Sequence, residues 1–115
     1  MSQENILVIK LGALGDFVYA IGPMQAIKKH HKTANITLLT RLSFADLGYK
    51  TKIFDDILID PEPNFWKLKS LYDFRKKINA FQFDRIYDLQ TSDRTGFYYK
   101  LLGPFKRPEW SGIAP

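Results

Sequence analysis

Asn5 to Lys10 reads NILVIK, a short and almost unbroken apolar run rich in branched residues. Such a run, bounded by turn residues, predicts a strand buried on both faces. Leu11-Gly12-Ala13-Leu14-Gly15 follows as a small-residue loop ending at Asp16. From Phe17 to His31 the apolar positions Phe17, Ala20, Ile21, Met24 and Ile27 recur at helical spacing. Lys28, Lys29, His30 and His31 crowd the end of that helix, where cations suit its dipole. Gly22-Pro23 inside the pattern predicts a kink or an interrupted turn.

The alternation then repeats. Asn35 to Thr40 (NITLLT) is a second strand, and Ser43 to Tyr49 a short helix that Ser43 is placed to cap. Ile57 to Asp60 is a third strand, followed by a loop marked by Pro61 and Pro63. Phe65 to Ala80 is a basic amphipathic helix with Leu68, Leu71, Phe74 or Arg75, and Ile78 on its apolar stripe. Phe83 to Leu89 is a fourth strand, and Thr91-Ser92-Asp93 opens a helix that Gly103-Pro104 ends. Trp110 to Ile113 is suited to a fifth strand.

Strands alternating with helices point to parallel βαβ units with right-handed crossovers. The expected fold is α/β: a doubly wound, three-layer parallel sheet, Rossmann-like. Ligands of such sheets bind at the carboxyl ends of the strands, beside the switch point in strand order. That rim would gather Lys10 to Asp16, Thr40 to Ser43, Asp60 to Asn64, and Asp88 to Arg94.

Composition narrows the picture. The 115 residues are 45% hydrophobic and 15% aromatic, enough for a real core and unlike a disordered chain. With no cysteine, disulfides, thiolate metal sites and a cysteine nucleophile are excluded. Met1-Ser2-Gln3-Glu4-Asn5 lacks the basic start of a secretory signal, and Lys10 and Asp16 break the apolar stretch behind it. The expected location is cytoplasmic. The net charge of +5 suits an anionic partner or an ordinary solvated surface, and does not choose between them.

The loop after the first strand carries the most chemistry. Gly12 and Gly15 remove side chains where the backbone turns and where a ligand can approach. The pattern GxxG followed by a carboxylate is neither the GxGxxG dinucleotide fingerprint nor a GxxxxGK[ST] phosphate loop. An acid at the helix start would also repel a pyrophosphate seated there. Asp16 reads either as an N-cap or as a general base projecting into the cleft. The two roles conflict in part, because a carboxylate engaged by backbone N–H groups is a weaker base.

Ile6-Leu7-Val8-Ile9-Lys10-Leu11-Gly12-Ala13-Leu14-Gly15-Asp16-Phe17-Val18 resembles the opening of the ADP-heptose:lipopolysaccharide heptosyltransferase family. The likeness returns at Phe83-Asp84-Arg85-Ile86-Tyr87-Asp88-Leu89-Gln90-Thr91-Ser92-Asp93-Arg94 and at Arg107-Pro108-Glu109-Trp110-Ser111-Gly112-Ile113-Ala114. The resemblance implies the N-terminal Rossmann-like half of a GT-B glycosyltransferase, in which the residue matching Asp16 is the proposed catalytic base for inverting transfer. It implies a nucleotide-sugar donor such as ADP-heptose and an anionic lipopolysaccharide-type acceptor. Separately, no carboxylate cluster such as DxD stands at a strand end, so no metal or other cofactor is expected. Gly22-Pro23 departs from the family, whose helix proline often falls one residue earlier, which bears on acceptor identity more than on fold.

Within that frame, residues 1–115 are expected to form the acceptor-side domain, with the C-terminal nucleotide-sugar domain absent from this chain. The fragment alone is then expected to be inactive. Lys10, at the end of a buried strand, is placed either to hold a phosphate or carboxylate or to snorkel to water. Gln90 and Arg94, with Ser92, suit sugar hydroxyls or anionic groups, or else helix capping and solvation. His30 and His31 diverge on the helix and lack a third ligand, so they read as a surface helix end. The basic helix with Lys67, Lys69, Arg75, Lys76 and Lys77 fits either peripheral contact with an anionic inner-membrane surface or the outer layer of the sandwich. Nucleic-acid binding would need denser basic clustering. A stand-alone nucleotide- or glycan-binding module without catalysis is the alternative.

Overall fold

The computed structural model describes residues 4–60, 68–90 and 109–112, with side chains over 4–60 and 72–90. In chain order the elements are β1 (Asn5–Ile9), α1 (Leu14–His30), β2 (Asn35–Thr40), a 3-10 turn (Leu42–Phe44), α2 (Ala45–Lys50), β3 (Asp56–Ile59), α3 (Leu68–Phe81), β4 (Arg85–Asp88) and β5 (Glu109–Gly112). The strands form one sheet in the order β3-β2-β1-β4-β5, and every pairing is parallel. Strand order therefore reverses between β1 and β4, which is the switch point of a doubly wound sheet.

The central strand explains the architecture. Ile6, Leu7, Val8 and Ile9 are each 1% exposed or less, so β1 has no solvent face. Alternation sends Ile6 and Val8 to one side, where Phe17, Ala20, Met24 and Ile27 of α1 pack with Ile36 and Leu38 of β2. It sends Leu7 and Ile9 to the other, against Phe74 and Ile78 of α3, with Leu39, Phe83 and Ile86. Two cores thus share one sheet, the three layers that the alternating pattern predicts. Burial of side chains of this size stabilises the fold by about 1.5–3 kcal/mol each.

The edge of the sheet where the strands begin is closed by side chains. His31 Nδ1 lies 3.0 Å from Glu4 Oε1, and its Nε2 lies 2.8 Å from the Tyr87 hydroxyl. Asn5 donates from its backbone N–H to Asp84 (2.8 Å) and from its side chain to the Phe81 carbonyl (2.9 Å). These bonds tie the start of β1 to the end of α1 and to the entry into β4.

Several expectations need correction. α1 runs unbroken from Leu14 to His30 through Gly22-Pro23. Pro23 removes one N–H, but it and Tyr19 are exposed, so solvent can satisfy the orphaned carbonyl while the opposite face stays pinned to the sheet. Ser43 does not cap α2: it lies within the 3-10 turn, Phe44 holds the cap position, and no side chain caps that end. β3 starts one residue earlier than expected, because Asp56 pairs with Thr37. The expected loop at Pro61 and Pro63, the helix start at Phe65, and the helix from Thr91 to Leu102 lie outside the described residues.

Candidate functional site

β1 ends at Ile9, yet its ladder continues for one bond on each side. Lys10 N–H donates to the Leu39 carbonyl of β2 (3.0 Å), and Leu89 N–H donates to the Ile9 carbonyl (3.0 Å). The chain then leaves the sheet as Leu11-Gly12-Ala13 and enters α1. Leu11 N–H, which has no strand beside it, is taken by Gln90 Oε1 at 3.1 Å. Gln90 is itself set by its backbone N–H donating to Asp88 Oδ1 (3.0 Å). The ends of β1 and β4 are thereby stitched together at the switch point.

Gly12 is required by geometry. Its φ of +143° is a conformation that side chains rarely adopt, and a Cβ there would lie 2.5 Å from the Phe44 ring. Phe44 in turn stacks on Phe17, with centroids 5.6 Å apart and planes at 13°. The loop at Gly12 therefore abuts one ring of an aromatic pair. Gly15 is different: it is exposed, and a Cβ would meet nothing within 4 Å.

Asp16 does not cap the helix. The first turn closes by Phe17 N–H donating to the Ala13 carbonyl (2.8 Å), so Ala13 holds the cap position and Asp16 is the third residue of the helix. No side chain caps this end, and Asp16 is exposed. Its carboxylate makes no hydrogen bond or ion pair among the described residues. Its place in the first turn still suits the helix dipole. The result is an open carboxylate at the strand-end rim, directly after Gly15.

Lys10 is not a snorkelling residue. It is 7% exposed, and its Nζ donates to the Leu89 carbonyl at 3.3 Å. Asp60 and Asp88 are buried at the same rim, each 4% exposed. Arg94 and Ser92 lie outside the described residues. The structure thus brings together Lys10, Gly12, Gly15, Asp16 and Gln90. Phe44, the partner of Gly12, carried no signal in the sequence beyond being aromatic.

Among the described residues no group of three His, Cys, Asp or Glu side chains is arranged to hold a metal ion. His31 is engaged by Glu4 and Tyr87, and His30 meets it edge-on. On α3, Tyr72, Lys76 and Lys77 are exposed, which fits the outer layer of the sandwich. Among the described residues no helix is long and apolar enough to cross a membrane.

No protein-family model and no curated protein sequence matches the chain. Solved structures do. A glycosyl transferase family 9 protein from Veillonella parvula DSM 2008 superposes with a TM-score of 0.79 and 19% identity, over 98% of this chain and 33% of its own. ADP-heptose lps heptosyltransferase II from E. coli gives 0.75 and 16%, over 94% of this chain and 30% of its own. E. coli heptosyltransferase WaaC with ADP-2-deoxy-2-fluoro heptose gives 0.76 and 13%, over 95% and 36%. The chain has an α/β fold found within these glycosyltransferases, and it spans about a third of the length of each.

Proposed function

We propose that this chain is the acceptor-side, Rossmann-like half of a sugar-nucleotide glycosyltransferase. In this reading the enzyme transfers a sugar of the heptose class from a nucleotide donor to a lipopolysaccharide-core or related glycan. The observation that carries it is Asp16: a carboxylate free of capping duty, exposed at the strand-end rim of a fold found in heptosyltransferases. A base must keep its lone pairs available and reach the proton it removes. The exposure of Asp16 and its lack of a bond among the described residues support the first, and its place beside the Gly12 loop supports the second.

The step follows from those positions. Asp16 takes the proton of an acceptor hydroxyl as its oxygen bonds to the anomeric carbon of the donor. The bond from that carbon to the nucleotide phosphate oxygen breaks, and the electron pair leaves with the nucleoside diphosphate. Attack opposite the leaving group inverts the anomeric centre. Gly15 leaves the acceptor room, while Lys10 and Gln90, together with Arg94, would position it. The donor nucleotide would be held by a second domain, and the exposed basic face of α3 suits peripheral contact with an anionic membrane.

The test is Asp16→Asn in a protein that contains this chain and the donor domain, given ADP-heptose and a lipopolysaccharide-core acceptor. The expected result is a fall in kcat of about 10²–10⁴-fold with donor binding retained. An unchanged rate would sink the assignment of the base. Donor or glycan binding without any transfer by the unaltered protein would favour a binding module.

A further inference from the structure

Lys10 carries a charge that its described surroundings leave uncompensated. Its one hydrogen bond, to the Leu89 carbonyl, is long at 3.3 Å, and an ammonium has three donors. Among the described residues no carboxylate lies within 4.0 Å of the Lys10 nitrogen. The buried carboxylates of the rim, Asp60 and Asp88, have partners of their own. Removing a cation from water without a counter-charge is among the more costly arrangements in a fold. Among the described residues nothing supplies that counter-charge.

A second group stands beside it. The β1–β2 register pairs Ile9 with Leu39, so Lys10 and Thr40 are the next residues in line on adjacent strands. Alternation puts both on the face covered by α1, the face of Ile6 and Val8 and of Ile36 and Leu38. Thr40 is 0% exposed, and its hydroxyl has no hydrogen-bond partner among the described residues. Buried hydroxyls are ordinarily bonded, and those that are not call for an explanation. Lys10 and Thr40 thus stand at neighbouring positions on the same face at the carboxyl ends of two parallel strands, the Lys10 ammonium directed to the Leu89 carbonyl on the β4 side and the Thr40 hydroxyl unbonded among the described residues.

We infer that Lys10 and Thr40 form an oxyanion subsite, taking a phosphate or carboxylate carried by the acceptor. Lys10 supplies the charge and Thr40 a hydroxyl donor. The subsite deepens the transferase reading and rests on it only for the source of the anion. It makes no use of Asp16.

Thermal denaturation of the 115-residue chain against inorganic phosphate, acetate and ADP, at matched ionic strength with sodium chloride, tests it. A ligand that binds only the folded state raises Tm in a saturable way. The expected result is a saturable rise with phosphate or acetate beyond the chloride control. Lys10→Met should match or exceed the unaltered chain in ligand-free Tm, since an apolar side chain replaces a buried charge, and should lose the anion response. Lys10→Arg should keep a response, and Thr40→Val should weaken it several-fold. An equal response in Lys10→Met, or none beyond chloride in the unaltered chain, overturns the subsite. A response to ADP alone overturns its assignment to the acceptor. Should Lys10→Met not fold, amide shifts at Lys10, Gly12 and Thr40 on adding phosphate to the unaltered chain take its place. Saturable shifts there support the subsite, and their absence overturns it. An Asp16→Asn protein that loses transfer but keeps the anion response separates this inference from the base assignment.

Discussion

Phe44 lies so close to Gly12 that a Cβ on the glycine would come within 2.5 Å of its ring. The ring has little freedom to give way, because it also stacks on the fully buried Phe17. Gly12→Ala therefore meets two obstacles, the contact and a φ of +143°. The expected cost is about 1–3 kcal/mol, read as a lower urea midpoint with an unchanged slope. Gly15→Ala is the contrast: with open space around it and an ordinary helical position, it should be neutral or stabilising by up to about 1 kcal/mol. Equal losses at the two positions would mean that the loop is not held against Phe44.

Gln90 was expected to touch substrate, yet its carbonyl oxygen is committed to Leu11 N–H. Gln90→Leu should leave that N–H unpaired at a part-buried position and cost about 1–3 kcal/mol. Gln90→Glu keeps an acceptor and should restore most of the stability. In a protein with the donor domain, the pair separates two roles. If Gln90 only shapes the loop, Glu restores transfer as well as stability; if its amide also donates to a sugar, the Glu variant folds normally and KM for the acceptor rises.

The contacts of His31 predict a thermodynamic coupling. Denaturant titrations of His31→Ala, Tyr87→Phe and the double variant form a cycle that isolates the imidazole–phenol bond. A coupling of about 0.5–1.5 kcal/mol is expected, in the range of a single net hydrogen bond. Additive losses would show that the two side chains are not energetically coupled.

Much of the fold was legible because it is local. NITLLT gives β2 with the bounds observed, and of the apolar positions spaced along α1, Phe17, Ala20, Met24 and Ile27 are buried while Ile21 is partly so. Asp16 misleads for a local reason as well. One of its two readings is a cap, because Asp caps well, but Phe17 N–H reaches back to Ala13 and starts the helix earlier. Lys10 is a different case. Its residue type suggests solvent or an anion, and its burial against a carbonyl 79 residues away follows from the β1–β4 pairing, which no window of sequence displays. The same distance separates Leu11 from Gln90. Residue types at the rim could be read; which groups they would engage could not.

In the proposed reading the donor is held by another domain, which sets an expectation for the chain by itself. The 115 residues, supplied with ADP-heptose and acceptor, should release no nucleoside diphosphate at ordinary enzyme rates. Adding a separately expressed donor domain should restore release only if the two associate. Turnover by the chain alone would place both substrates on this one sheet and undo the two-domain account.

The closure at the starting edge of the sheet has a bearing on heredity. Glu4, Asn5, His31, Asp84 and Tyr87 fasten one margin with side-chain bonds, while the loop from Leu11 to Ala13 and the first turn of α1 leave from the opposite margin. Selection acting on substrate preference can rewrite the second without loosening the first. A chimaera carrying residues 13–16 of a divergent relative, with Gly12 kept, should melt close to its parent while differing in what it accepts.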